Sequence, residues 1–390
     1  MKLRAIVSIA AAAAMLAGTG GGVDVSPVSF PVMEASAAEH ATSGTCGKNA
    51  AWKLDDKGTL TVSGTGDMDA ALDRNPCPWK DFKDEIKAVV IGKGITSIGM
   101  GMFSDCKNLT SVSFPSTLKA INTYSFTGCE ALGSVVIPDG VTNIGSSSFA
   151  GCKKLSDVTI PKSVTYIGAL AFSGTAWFEA QKSIDDPFII INGLLVYVYY
   201  DLSGDVVIPE TVSKICEQAA ERRSKITSLT IPETVTEIGY NAFLGCSSLK
   251  TVTIPESVHS IGMQAFVNCT ALKEVTILDP DAKIYDRATT FTNGNDEYSG
   301  VIKGYDGSTA EAYAEKYGYK FVSLGQRPAE YQLGDVDRNG VINAVDASEV
   351  LSYYARISTK QEGGFTAIQK KAADTDENGL INAVDASCIL

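Results

Sequence analysis

The sequence predicts an α/β solenoid, a stack of short coils, followed by a small α-helical module. Two observations carry this prediction. A 23-residue period governs most of the 390-residue chain. Near the C-terminus a 14-residue stretch is written twice: residues 335–348 read DVDRNGVINAVDAS and residues 374–387 read DTDENGLINAVDAS. A third observation, a basic and then apolar N-terminus, bears on the compartment.

At that N-terminus, Lys2 and Arg4 precede an apolar run from Ala5 to Ala17, and Ala35-Ser36-Ala37-Ala38 follows. A basic start, a short hydrophobic stretch and a small-residue site form the pattern of a secretory signal. Residues 1–38 are therefore read as a signal peptide cut after Ala38, with the Gly-rich stretch at 18–22 leaving an earlier cut open. The apolar run is too short to span a bilayer as a retained helix, and the sequence contains no second long one. The mature chain is expected to be secreted, extracellular and not inserted in a membrane. A net charge of −12 and a pI near 4.8 make nucleic acid and anionic lipid poor partners.

Read from Leu109, each unit follows L-x-x-V-x-I-P-x-x-V-x-x-I-G-x-x-x-F-x-G-C. Prolines recur at 115, 138, 161, 209, 232 and 255, and phenylalanines at 103, 126, 149, 172, 243 and 266. Self-similarity at this period, headed by L-x-x-L-x-L, signals a leucine-rich repeat. One coil cannot bury its apolar face alone, so Leu132, Val135 and Ile137 are expected to pack against their equivalents in neighbouring coils. Nine cysteines in a secreted chain invite a disulfide reading. Yet Cys106, Cys129 and Cys152 are 23 apart, as are Cys246 and Cys269, which marks them as repeat positions. Cys46 and Cys77 lie outside the repeats, and their pairing is left open.

These columns resemble the BspA-like leucine-rich repeat family of bacterial surface proteins, over residues 45–325. The resemblance extends to the ends, implying an N-terminal cap within 39–85, repeats over 86–300 and a C-terminal cap at 301–325. In the first cap, Trp52–Leu54 and Thr59–Ser63 are expected to form a hairpin across Asp55–Gly58. In the second, Ser308 with Glu311 reads as a capping box, 310–317 as a helix and Gly318 as its stop. Pro161 and Pro209 are 48 residues apart, so an irregular insertion at 175–204 interrupts the stack. It carries Phe188–Ile191 and Leu194–Tyr200 around Asn192-Gly193, a two-residue hairpin signal. It reads either as a filler at a kink or as a ligand-contacting protrusion bearing tyrosines.

The duplicated stretch places oxygen-bearing residues at loop positions 1, 3, 5, 9 and 12 and glycine at 6. Calcium is a hard cation that takes six to eight oxygens, and a 12-residue loop supplies them at this spacing. The candidate ligands are Asp335, Asp337, Asn339, the Val341 carbonyl, Asn343 and Asp346, then Asp374, Asp376, Asn378, the Leu380 carbonyl, Asn382 and Asp385. Gly340 and Gly379 allow the sharp turn. Residues 335–390 hold nine acids and five bases, a charge of −4 that two calcium ions would cancel.

The doubled loop, with Asp rather than Glu at position 12, resembles the type I dockerin. That resemblance implies calcium as cofactor, a cohesin domain of a scaffoldin as partner and a cellulosome as address. It further implies cohesin contacts at Ala344, Val345, Leu351, Ser352 and Arg356, with Ala383 and Val384 in the second half. Helices are expected at 347–356, 365–373 and from Ala386 onward, after a linker at 326–334. The last helix stops at Leu390, the counterpart of Leu351, and is expected to be cut short relative to a complete module.

Catalysis is poorly provided for. The mature chain has two histidines, His40 at its start and His259 at a variable repeat position. No zinc-ligand spacing appears, and Gly92-Lys93-Gly94 lacks the remainder of a phosphate loop. Asp185, Asp186, Glu217, Glu221, Glu233 and Glu256 are available for glycosidase chemistry, but nothing pairs two of them. Small neutral residues such as Thr110, Ser111, Ser113, Thr227, Ser228, Thr230, Thr251 and Thr253 line the expected concave strand face. The expected function is a non-catalytic binding or adhesion module, anchored through dockerin and cohesin, whose repeat surface meets a protein or cell-wall glycan. The alternatives are a cellulosome-associated hydrolase of polysaccharide catabolism and a structural spacer.

Overall fold

A computed structural model describes residues 42–71, 77–183, 185–294, 297–326, 333–337, 341–359, 361, 364, 365, 367–376 and 379–390. The proposed signal peptide, His40, Asn339, Gly340, Asn378 and most of the linker lie outside these residues.

Each coil contributes two short strands, and like strands stack in parallel. The first ladder begins with the antiparallel strands Ser43–Gly47, Ala50–Leu54 and Thr59–Gly64 and continues in parallel through Ala88–Ile91 and Ser111–Ser113. Asp55 closes the turn between the second and third of these strands by accepting the backbone N–H groups of Lys57 and Thr59. Later in the chain the first ladder runs from Gly204–Val207 through Ile226–Thr230, Thr251–Ile254 and Glu274–Ile277 to Val301–Gly304 and Lys320–Ser323. The second ladder stacks two-residue strands, pairing Ile121 with Ile144 and Ile144 with Ile167. In the regular coils, partners in both ladders are 23 residues apart, as Ile121 with Ile144 and Leu229 with Val252, so the sequence period is the structural register.

The return side of each coil is built of turns, not helix. Tyr124, Ser147, Leu170, Gln218, Asn241 and Gln264 recur there with φ between 53° and 59°, a left-handed conformation that ends any helical turn. The backbone instead bonds to the next coil: Phe103 N–H donates to Ser125 O, Phe126 N–H to Ser148 O and Phe149 N–H to Ala171 O. The Ile-Gly column follows from the same closeness. A Cβ at Gly145 would sit 2.4 Å from Thr123 N, and one at Gly168 would sit 2.5 Å from Ser146 N.

Inside, the phenylalanine column is a stack of rings. Trp79, Phe103, Phe126, Phe149 and Phe172 follow at centroid spacings of 5.0, 5.1, 5.3 and 5.5 Å, and Trp177 closes the series edge-on. A second stack joins Phe243, Phe266 and Phe291 at 5.1 and 5.6 Å. The cysteine column is buried beside it. Cys129 and Cys152 donate their thiol hydrogens to Phe103 O and Phe126 O, and Cys246 and Cys269 to Ala220 O and Phe243 O. Burial pushes the Cys106 and Cys246 thiols up to about 12. Cys46 and Cys77 are both buried free thiols.

The break between the stacks coincides with the insertion, which is less of an excursion than the sequence implies. Helix α1 (Ala176–Glu179), capped by Thr175, leads to a hairpin of Phe188–Ile191 and Leu194–Val198. Asn192 and Gly193 both take positive φ at its turn. The second hairpin strand then joins the second ladder, pairing Leu194 with Lys214. The hairpin register shifts between Ile189 and Ile190; Leu194, Leu195 and Val198 are buried, and of its tyrosines Tyr200, not Tyr197 or Tyr199, is exposed. The core accordingly falls into two clusters, one ending at Leu194 and one beginning at Leu195.

The exposed face of the first ladder is also less uniform than a flat polar sheet. Ser111, Ser113, Thr251 and Thr253 are exposed, but so are Val90, Val136, Val207, Asp157 and Asp205. Helix α2 (Thr309–Tyr317) closes the far end, with Ser308 accepting Glu311 N–H and Gly318 at φ 71° ending it. Glu311 returns its bond to Gly307 N–H, one residue before the cap.

The C-terminal module consists of α3 (Ala344–Ser358), α4 (Ala367–Ala373) and α5 (Ala383–Ile389). Its buried core is Val336, Ala347, Val350, Ala372, Ala373 and Ala386. α3 and α5 begin three residues earlier than the sequence pattern indicates, because Asn343 and Asn382 act as N-caps inside the duplicated loops. Among the described residues no helix is long and apolar enough to cross a membrane.

Candidate metal centres and docking surface

Each duplicated loop folds so that its carboxylates converge beneath the helix it opens. Carboxylate oxygens of Asp335, Asp337 and Asp346 lie within 4.8 Å of one another, and those of Asp374, Asp376 and Asp385 do the same. Asp346 and Asp385 are fully buried and Asp335 nearly so.

The buried acids are held by backbone donors. Asp346 Oδ1 accepts from Val336 N–H at 2.7 Å and Asp337 N–H at 3.0 Å, and its Oδ2 accepts from Asn343 N–H at 2.9 Å. Asp385 repeats the arrangement with Thr375 N–H at 2.9 Å and Asn382 N–H at 2.9 Å. The asparagines complete both capping boxes: Asn343 Oδ1 accepts Val345 N–H, and Asn382 Oδ1 accepts Val384 N–H. Their amide nitrogens donate to the carbonyls of Val341 and Leu380. Two of the expected ligand groups in each loop are thus joined to each other, while three others form the carboxylate cluster. Nearby, burial and then the charges of Asp337 and Asp346 raise the Glu349 carboxyl above its usual range.

The donor set fits a hard divalent cation. It is all oxygen, and close carboxylates, one or two of them buried in each set, repel unless positive charge lies among them. Calcium bound there would supply that charge and fix each loop against the first turn of its helix.

The residues proposed to meet a partner all lie on the surface. Ala344, Val345, Leu351, Ser352 and Arg356 are exposed along α3, and Ala383 and Val384 are exposed at the start of α5. Leu351, Tyr354 and Ile357 add exposed apolar area to α3.

In the solenoid, two of the acids considered for catalysis, Glu217 and Glu221, line one cavity, and the others are not on its lining. Glu233, Asp185 and Asp186 are exposed. Glu217 accepts Tyr166 Oη–H at 2.8 Å, a bond that reaches across the insertion. His259 Nδ1 meets Asp279 Oδ2 at 2.8 Å on the surface. What sequence reading missed is a cavity where the repeat fails, lined by Phe178, Lys182, Tyr197 and Arg223 among others. Its sequence signal was a coil that departs from the pattern, with Ala220 at the Phe position and Arg222 and Arg223 at the positions of the Gly-Cys pair.

The description "BspA type Leucine rich repeat region" matches in six copies over residues 81–184 and 197–295, more than half of the chain. The chain belongs to the BspA-type leucine-rich repeat family. The gap between the two matched stretches falls on the hairpin that interrupts this BspA-type solenoid. "Dockerin type I domain" matches residues 333–389, so the solenoid carries a dockerin, a calcium-binding module whose partner is a cohesin. Together they make a cellulosome-type protein-interaction module of extracellular or cell-surface character. Among solved structures, a leucine-rich repeat protein from Eubacterium ventriosum is 25% identical over 73% of this chain and 86% of its own, with a TM-score of 0.41. A leucine-rich cell surface protein from Faecalibacterium prausnitzii is 20% identical over 73% of this chain and 99% of its own, with a TM-score of 0.31. Curated proteins returned no match.

Proposed function

We propose that this protein is a secreted, non-catalytic binding or adhesion module. Its dockerin holds it on a scaffoldin, and its solenoid presents a surface to a protein or cell-wall glycan. The observation that supports this reading most directly is the pair of matched carboxylate clusters, each set at the foot of a capped helix with exposed Ala-Val at its start.

In this reading two calcium ions bind. Asp335, Asp337, Asn339, Val341, Asn343 and Asp346 serve the first, and Asp374, Asp376, Asn378, Leu380, Asn382 and Asp385 the second. Ion binding relieves the repulsion of each cluster, so binding energy becomes folding energy for the module. The cohesin surface comprises Ala344, Val345, Leu351, Ser352 and Arg356, with Ala383 and Val384. Because the Ala-Val pairs are equivalent by the 39-residue offset, the dockerin can offer either half to its partner. Residues 1–38 act as the export signal, 39–85 and 301–325 as end caps of the repeats over 86–300, and 326–334 as a short tether ahead of 335–390.

Calorimetric titration of the full chain against a panel of cohesins, with calcium and then with excess chelator, tests the proposal. Binding that needs calcium and disappears in the Asp335→Ala, Asp374→Ala double variant is the expected result. Equal binding in chelator would falsify it.

A further inference from the structure

The repeat fails at one coil. Where sister coils read Ile-Gly-x-x-x-Phe-x-Gly-Cys, this one reads Ile215, Cys216, Ala220, Arg222 and Arg223 at the five defined positions. The last position is fully buried cysteine at 106, 129, 152, 246 and 269, and here it is a guanidinium. Because Ala220 replaces the ring, the aromatic stack is interrupted between Phe172 and Phe243. A cavity of about 250 Å3 opens there, walled by Phe172, Phe178 and Tyr197 and edged by Lys182, Arg222 and Arg223, with Glu217 and Glu221 also on its lining.

The charges at this cavity are unevenly matched. Lys182 pairs with Glu179 at 2.7 Å and Arg222 with Glu221 at 3.5 Å. Arg223 makes no ion pair among the described residues. Its Nε donates to Val198 O and its Nη1 to Glu221 O, both at 2.5 Å. Its guanidinium carbon lies 4.7 Å from the centre of the Tyr197 ring, and Lys182 Nζ lies 4.9 Å from the same ring. Two cations therefore share one tyrosine, and the half-buried one is bonded to backbone carbonyls, while Glu221, whose charge also acts on it, is paired with Arg222. Burial pulls the Arg223 guanidinium below its usual range. Holding a cation partly away from water without a direct ion pair is costly, although a chain with a net charge of −12 has acids to spare for pairing it.

We propose that this cavity binds a carboxylate, carried on a unit the size of a single sugar or amino-acid residue, with Arg223 as the anchor. Guanidinium donors left over from the two carbonyl bonds face a group whose planar geometry they match. The aromatic walls take the ligand's apolar side, as in other small-molecule sites. A volume of about 250 Å3 is below the range for drug-sized ligands, which is why one residue is the expected size.

The proposal rests on the reading that the repeat half binds a ligand, and its test separates the two. The full chain with calcium is titrated calorimetrically with galacturonate and N-acetylglutamate, and with galactose and N-acetylglutamine as their neutral counterparts. One carboxylate probe is expected to bind with a Kd of about 1 mM or tighter. The stronger arm tells whether the natural carboxylate comes from a sugar or an amino acid. The neutral counterparts, Arg223→Gln and Arg223→Cys should each weaken binding at least about tenfold. Arg223→Cys restores the sister-coil residue and guards against a folding defect, which thermal unfolding checks directly. No heat from either carboxylate at about 10 mM, equal binding of the neutral probes, or undiminished binding by a folded Arg223→Cys protein would each overturn the proposal. Cohesin binding by the same preparations should not change, and a ligand found elsewhere on the repeats would sink this site while leaving the broader reading intact.

Discussion

In the repeats, each coil buries Phe, Leu, Ile, Val and Cys columns against equal columns above and below, and a cavity sits beside the coil where Ala220 replaces a ring. In the C-terminal module, four of six core residues are alanine, and three acids are buried with them. The first region is held by its neighbours, so its order needs nothing from outside. The second has too little apolar area to offset three inward carboxylates, so its order is expected to depend on a cation. The sequence repeats itself in both, but repetition means stacking in one and a doubled ion site in the other.

The largest effect expected from that contrast is on metal removal. Chelator, or Asp335→Ala with Asp374→Ala, should abolish amide-exchange protection of α3, α4 and α5 while residues 42–325 keep theirs. Loss in both regions, or in neither, would break the comparison. Next comes a core deletion in the solenoid. Phe149→Ala removes one ring from a stack spaced at 5.3 and 5.5 Å and should cost about 3–5 kcal/mol in urea unfolding of the repeats. Calcium affinity should be unaltered, and a shifted affinity would show the regions are coupled.

A smaller effect sharpens the comparison within the module. Asn343→Ala and Asn382→Ala each remove a helix cap and should each cost about 1 kcal/mol of module stability in calcium. Because the halves are equivalent, the two losses should be similar; a lopsided result would mean that one loop carries the module. The gentlest probe leaves stability untouched. Burial lifts the Cys106 and Cys246 thiols from 9.0 to about 12, so at pH 8 their thiolate fraction falls about a thousandfold. Alkylation of native protein at that pH should mark the exposed Cys388 rapidly and the repeat columns only after denaturation. Blocked Cys46 and Cys77 in denaturant without reductant would instead reveal a disulfide.

Much of this was legible because periodicity is a local signal. Leu132, Val135, Ile137 and Phe149 announce their burial by recurring, and Ser308 with Gly318 announces α2 by cap chemistry. The carboxylate clusters were equally readable, since loop spacing alone brings Asp335, Asp337 and Asp346 together. Asn343 and Asn382 show where reading stopped. Each was assigned as a metal ligand, and each also caps a helix, a double duty that moves the helix start by three residues. The cavity at Arg223 was harder still. It depends on Phe172 and Phe178 meeting Arg223 across some fifty residues of sequence, and on a hairpin strand entering a ladder from which the pattern had excluded it.

The interruption at Ala220 has a mechanical meaning for a stack of coils placed under tension. Bonds between coils run from each coil to the next, so tension peels them singly instead of shearing them together. At the seam neither ladder is paired across among the described residues: Asp157–Thr159 is not joined to Gly204–Val207, nor Tyr166–Ile167 to Leu194–Val198, and the crossing bonds include those of Asn192 Nδ2 to Pro161 O and of Tyr166 Oη to Glu217. A pulling experiment should therefore see the coils part there first, leaving two halves that each keep their own interior: a built-in weak link.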